Sequence, residues 1–321
     1  MAYSLATIPF ALHAAPSLHR FFTRELTRVY RIAQEHSPNT ACPALHVREG
    51  QAVSPAPHDR TMSYPQGGGW LTDGRFTLQT DQAHVEVQLQ PALQVSLTLH
   101  TPPNQQTHIE FGYALQALLR YRGRFTAHAA AVIEPRTQTG MLLLGASGSG
   151  KTTTALQLVR QGWRYLSDDL LLLGETDTGI AAWGLRRVFA ATEKTLAACD
   201  YVGAQRPAGL RMGADIEKLA FDPQTLFPTQ YAEQCVPQHL LFVEVADQSE
   251  SELLPLTPRI ALEQLLPQSP WACFDADTTH QHLNVLLRLS QQAQGWTLKA
   301  GRDWLERPAD VAAWLIARLC H

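Results

Sequence analysis

The stretch MLLLGASGSGKTTTALQLVRQGWRYLSDDLLLL, residues 141–173, decides how the rest of this chain is to be read. It opens with Met141–Leu144, an apolar run of strand length. Gly145, Ala146, Ser147, Gly148, Ser149 and Gly150 follow, and then Lys151 and Thr152, so the spacing G-x-x-x-x-G-K-[ST] is complete. KTTTALQLVR has helical periodicity and stops before Gly162. WRYLSDD reads as the next strand, and the run of leucines after it either extends that strand or begins its neighbour. Strand, glycine loop and amphipathic helix, in this order, make a phosphate cradle, or P-loop. The glycines let successive backbone N–H groups turn inward around phosphate oxygens, and the helix N-terminus adds partial positive charge. Lys151 then reaches the β- and γ-phosphates, and the Thr152 hydroxyl is placed to ligate Mg²⁺. Gly145 to Thr152, with Thr153 behind them, are the candidate nucleotide-binding residues, and ATP and Mg²⁺ are the expected ligands.

Asp168 and Asp169 stand in a segment that is otherwise almost wholly apolar. Burying one unpaired carboxylate is costly, so positive charge is expected beside them. A strand running next to the cradle ends near the phosphates, where Mg²⁺ and Lys151 supply that charge. Adjacent residues on a regular strand point to opposite faces. If the strand ends or kinks at the pair, both carboxylates reach the nucleotide.

Other nucleotide-binding classes lack their marks here. There is no NKxD for a guanine base and no LSGGQ of a transporter ATPase. Asp168 follows Lys151 by seventeen positions, room for one helix and one strand, whereas hexameric ATPases take a longer path to their acidic strand.

Taken with AHAAAVI at 127–133, the segment resembles the catalytic core of HPr kinase/phosphorylase and its relatives, within the P-loop group that includes ATP-dependent phosphoenolpyruvate carboxykinase. That pattern is a histidine-bearing strand, a P-loop, a helix ending near a glycine, and an acidic pair. The resemblance covers residues 125–173 of the 321. It implies an ATP-dependent phosphotransferase acting on a hydroxyl acceptor, a serine of a peptide or small protein. It also implies a P-loop core with a mixed β-sheet and flanking helices. By the same resemblance Lys151 is the P-loop lysine and Thr152 the metal-ligating hydroxyl. Asp168 takes the acceptor's proton, Asp169 helps hold the metal, and His128 hydrogen-bonds a carboxylate rather than binding metal. The family's downstream E-I-R-G-L-G signature is replaced by AAWGLRRVFAATEKT (181–195), so HPr itself is not the expected acceptor and the reverse phosphorolysis is not carried over. Arg186, Arg187 and Lys218 are the best downstream cations for further phosphate contacts, ahead of Glu193, Glu217 and Arg259 as site candidates. A non-catalytic ATP-binding scaffold and a small-molecule kinase of the same fold stand as the alternatives.

Outward from this core, residues 1–122 read as an α+β module and 123–321 as the P-loop domain. A helix is expected over 17–35, and 50–69 reads as a loop. RFTLQT, HVEVQLQ and LQVSLTLH alternate as successive antiparallel strands, and 108–123 is a helix ending at Gly123. Those strands suit docking of a leader peptide by edge addition, and the family resemblance implies self-assembly into a homo-oligomer as an equal alternative. FTAHAAAVIE reads as one strand. Beyond the core, TPRIALEQLLP starts a helix with Thr257 as cap and Pro258 next. TTHQHLNVLLRLSQQAQG is a helix, WTLKAG a strand and RPADVAAWLIARLC a closing helix.

At 45% hydrophobic and 17% charged residues, with a formal net charge of −3, the chain is globular and has no basic footprint for nucleic acid. No apolar run is long enough to span a bilayer. The five cysteines are scattered, form no CxxC and read as reduced core residues. A cytoplasmic location is expected.

Overall fold

The computed structural model describes residues 1–35, 42–51, 62–64, 67–72, 75–89, 93–104, 107–203, 210–212, 218–273 and 276–320. The chain divides into two compact units, Met1–Phe125 with Trp271–His280, and Thr126–Pro270 with Gln281–His321.

The first unit is built on a nine-stranded sheet, in the order Ala33–Glu35, Ala2–Leu5, Ile8–Ala14, Ala44–Glu49, Gln94–Leu99, Ala83–Gln88, Arg75–Thr80, Gly67–Thr72, Met62–Tyr64. The alternation noted in the sequence is seen directly. Leu45, Val47, Val95, Leu97, Val85 and Val87 are buried and share one face by the strand period. The helices Pro16–Val29 and Thr107–Arg120 pack against the sheet and each other. The strands expected at RFTLQT, HVEVQLQ and LQVSLTLH pair antiparallel as expected. By contrast Ile8–Ala14, Ala44–Glu49 and Gln94–Leu99 run parallel.

Two local expectations are corrected. The helix expected over 17–35 ends at Val29, and Ala33–Glu35 turns back to pair with Ala2–Ser4. Ile32 keeps the apolar spacing, but the backbone is already extended at Tyr30 (φ −110°, ψ 154°), which is buried and donates its hydroxyl to the His108 carbonyl oxygen at 2.6 Å. Within the predicted loop 50–69, Gly67–Gly69 belong to a strand paired with Leu78–Thr80. Gly67 fits there because a Cβ on it would lie 1.8 Å from the Gln79 carbonyl oxygen. Residues 52–61 and 65–66 of that segment lie outside the described residues.

The second unit mixes parallel and antiparallel pairing. Its six-stranded sheet runs Arg164–Ser167, Ala130–Ile133, Gly140–Leu144, Pro237–Val245, Gln294–Ala300, Glu252–Leu256. Gly140–Leu144, Pro237–Val245 and Gln294–Ala300 are mutually parallel. The helix Lys151–Arg160 follows Gly140–Leu144 and buries Ala155, Leu156, Leu158 and Val159 in a core shared with Trp163, Phe189, Leu241 and Leu315. A four-stranded sheet runs Phe125–His128, Leu170–Thr176, Gly179–Gly184, Gln234–Cys235, and a three-stranded one Phe189–Ala191, Lys218–Phe221, Leu210–Met212. The closing helix is Pro308–Leu319. Thr257 caps Pro258–Leu265 by accepting a hydrogen bond from the Ile260 amide.

The expected single strand FTAHAAAVIE is two strands, broken at Ala129, and the acidic run is two strands broken at Asp168–Asp169. Both segments cross between the two sheets, the first from the four-stranded sheet into the six-stranded one and the second in the opposite sense. They do so side by side, since Ala130–Ile133 neighbours Arg164–Ser167 and Phe125–His128 neighbours Leu170–Thr176. Among the described residues no helix is long and apolar enough to cross a membrane. Cys42, Cys199, Cys235 and Cys320 are free thiols, and all but Cys42 are buried.

Candidate active site

The glycine loop is shaped by its backbone. Gly145 has φ +137° and Gly150 φ +98°, both in the region that L side chains avoid. A Cβ on Gly145 would also meet the Val243 carbonyl oxygen at 2.8 Å. Gly150 is the N-cap of the helix Lys151–Arg160 and has no side chain to offer, so the first amides of that helix are left to other acceptors. Lys151 is buried beneath the loop and donates from Nζ to the carbonyl oxygens of Gly145 (2.7 Å) and Ala146 (3.0 Å). Burial draws its ammonium down to about 8, against the pull of Asp169 and Asp168 and with help from the Lys218 charge. Ala146, Ser147 and Gly148 are exposed. The Ser149 hydroxyl is buried without a hydrogen-bond partner among the described residues.

The acidic pair sits where the chain changes sheets, and the two carboxylates are unlike. Asp168 is 1% exposed. Its Oδ2 accepts from the Ala190 amide at 2.9 Å and lies 3.3 Å from the donating Thr152 Oγ1. Its Oδ1 is buried with no partner among the described residues. Burial, and then the charge of Asp169, push its carboxyl well above the ordinary range, against the Ala190 hydrogen bond and the Arg186 charge. Asp169 is less enclosed. Its Oδ1 is 2.8 Å from His128 Nε2, and its Oδ2 accepts from Arg186 Nη1 at 2.6 Å. Burial alone would raise it too, but the Arg186 guanidinium and His128 outweigh that and hold it well below the usual carboxylate range.

The structure therefore brings together Lys151, Thr152, Asp168, Asp169 and His128. Thr153 turns away and donates to Thr195 Oγ1 at 3.2 Å. Arg186 pairs with Asp169. Arg187 lies 3.9 Å from Asp222. Lys218 is close enough for its charge to act on Lys151 and both aspartates. Glu193 is exposed in the first turn of a short helix, and Arg259 forms a surface pair with Glu263 at 2.9 Å. Glu217 lies outside the described residues. The Ala190 amide carries no sequence signal, since any non-proline residue supplies one. No cluster of three or more His, Cys, Asp or Glu side chains suited to a metal occurs among the described residues. The oxygens of Asp168 and Thr152 are of the type that Mg²⁺ prefers.

No family model matches the chain. It is 27% identical over 105 residues to the HPr kinase/phosphorylase of Geobacillus sp. (strain WCH70), a match covering 28% of this chain and 34% of that protein. The likeness thus spans about a third of the relative's length and supports relatedness without singling out a member. The structure of the Hpr(Ser) kinase/phosphatase from Coxiella burnetii aligns over 60% of this chain and 95% of that one, with 10% identity and a TM-score of 0.31.

Proposed function

We propose that this chain is an ATP-dependent phosphotransferase that moves the γ-phosphoryl group to a hydroxyl, a serine of a peptide or small protein. The observation behind this reading is the meeting of Lys151, Thr152 and a buried, under-partnered Asp168 at the mouth of a glycine loop. A scaffold that only held nucleotide would have no use for an under-partnered carboxylate, which costs stability.

The triphosphate takes the loop amides, and Lys151 exchanges the carbonyls of Gly145 and Ala146 for phosphate oxygens. Mg²⁺ fits at Thr152 and the acidic pair, where it would neutralise β- and γ-oxygens as charge shifts in a loose transition state. The acceptor oxygen bonds to the γ-phosphorus as the bond to the ADP oxygen breaks, and the acceptor's proton passes to a carboxylate. Asp168 is the base in the first reading, because a raised affinity for protons suits a group that must accept one. Asp169, kept ionised by Arg186, then serves the metal, with His128 orienting it. The 3.3 Å approach of Asp168 to Thr152 favours a second reading with the two roles exchanged. Asp169, the more open of the two, would then face the acceptor.

Calorimetric titration with ATP, with and without Mg²⁺, tests the site. The expected result is Mg²⁺-dependent binding that Lys151→Ala weakens by more than about tenfold, followed by label transfer from γ-labelled ATP to serine peptides. Absence of ATP binding would sink the reading. Tight binding without transfer to any peptide, protein or small alcohol would leave the scaffold.

A further inference from the structure

An ATP molecule has a phosphate end and a nucleoside end, and the sheet order tells them apart. Arg164–Ser167, which leads into the acidic pair, lies on one side of Gly140–Leu144 with Ala130–Ile133 between them. Pro237–Val245 lies directly on the other side and runs parallel to it. A triphosphate in the glycine loop with its γ-end toward Asp168 and Asp169 has its nucleoside on the Pro237–Val245 side. Parallel strands bring their carboxyl ends to the same edge, where ligands of such sheets bind.

Val245 ends that strand, and at 70% exposure it is the most exposed large apolar side chain among the described residues. One exposed valine is unremarkable by itself, but the place of this one is not. Its Cγ2 stands 3.3 Å from where a Cβ would sit on Gly150, so it flanks the last glycine of the loop. Its backbone is held in the sheet by pairing with Ala300. The Ala246 amide donates to the Ala300 carbonyl and the Arg302 amide to that of Gln248, both at 2.9 Å. Beyond it lies an exposed pair, Arg302 and Asp247, at 3.5 Å. An exposed branched alkyl side chain beside the last glycine of the cradle, with a charged pair on the residues just past the two strand ends, offers a base an apolar face and polar neighbours.

We infer that Val245 is the shelf against which the purine base of the bound nucleotide lies, an inference that rests on the ATP reading above. A planar base on a branched alkyl side chain removes apolar surface of both from water. The phosphates would feel none of this.

The test compares Mg²⁺–ATP with Mg²⁺–tripolyphosphate, which lacks the nucleoside, by calorimetry on the full chain. The wild type should bind ATP more tightly than tripolyphosphate. Val245→Ser should weaken ATP roughly five- to tenfold and leave tripolyphosphate within about twofold, while Val245→Ile keeps ATP affinity. The side chain is exposed, so both variants should fold, which their thermal melting verifies. ATP affinity unchanged in Val245→Ser, or equal losses for both ligands, would overturn the shelf. So would a wild type that binds the two ligands equally well, though tripolyphosphate binding lost in Lys151→Ala would still uphold the phosphate site. A wild type that binds neither ligand would overturn the ATP reading and the shelf with it.

Discussion

Asp168 and Asp169 are the same residue type at consecutive positions, and their neighbours make them different acids. Asp168 is enclosed, with the Ala190 amide and the Thr152 hydroxyl on one oxygen, and burial and the adjacent charge favour its protonated form. Asp169 faces Arg186 and His128, which keep it ionised. A base must be deprotonated to work. If Asp168 is that base, kcat/KM should rise with pH along a limb lying above the ordinary Asp value of about 4. Asp168→Asn should then abolish transfer and spare ATP binding. If Asp169 is the base, no such limb appears at neutral pH, and Asp168→Asn instead weakens Mg²⁺-dependent ATP binding. Stability follows with a definite sign. A carboxyl whose folded-state pKa is raised contributes fully below its unfolded value, and the contribution is lost as pH rises through the folded one. Asp168→Asn keeps an acceptor for the Ala190 amide and removes that loss. Its melting temperature should exceed the wild type's by a few degrees at pH 8 and match it near pH 4, as scanning calorimetry on the ligand-free protein would detect. A lower melting temperature at pH 8 would mean the carboxylate is compensated after all.

At the scale of the element, the glycine loop holds a shape that side chains oppose. At Gly145 a Cβ meets both a disfavoured φ and the Val243 carbonyl, and neither yields without moving the Pro237–Val245 strand. Gly145→Ala should therefore lower stability by about 2 kcal/mol or more and weaken nucleotide binding. Urea denaturation and ATP titration would measure the two losses, and an unperturbed protein would show the loop to be relaxed. The element also shows where sequence reading stops. The loop and its helix are legible from 145–160 because they depend on local conformation. The breaks at Ala129 and at Asp168–Asp169 are not, because each half reads as a strand whichever sheet receives it.

For the whole molecule, the division into units does not follow the order of the chain. Trp271 falls between the two stretches of the second unit but belongs to the first, where its ring centroid lies 6.3 Å from Phe76 and 6.2 Å from Tyr113. Trp271→Ala should cost about 3 kcal/mol in the stability of the first unit and leave ATP affinity unchanged. Chemical denaturation beside ATP titration would check this, and a parallel loss of nucleotide binding would show that the units do not act independently. For the same reason, deleting residues 1–125 would strip Trp271 of its partners and expose it. Substitutions on the sheet of the first unit are the better test of the docking role expected from its sequence.

The sequence by itself determined what depends on near neighbours along the chain. Examples are the strand, glycine loop and helix at 140–160, the Thr257 cap, the alternating strands of 75–99, and an acidic pair that had to meet positive charge. Tertiary structure decided which charge met which carboxylate. Arg186 reached Asp169 rather than standing ready for phosphate, His128 reached the same carboxylate from the end of the neighbouring strand, and Asp168 was left with a backbone amide and Thr152. It also decided that Val245, an ordinary valine in an ordinary strand, ended in the open beside Gly150. Local propensities and spacing act over a few residues. Burial, and the charges that burial forces together, depend on segments that only the completed fold makes adjacent.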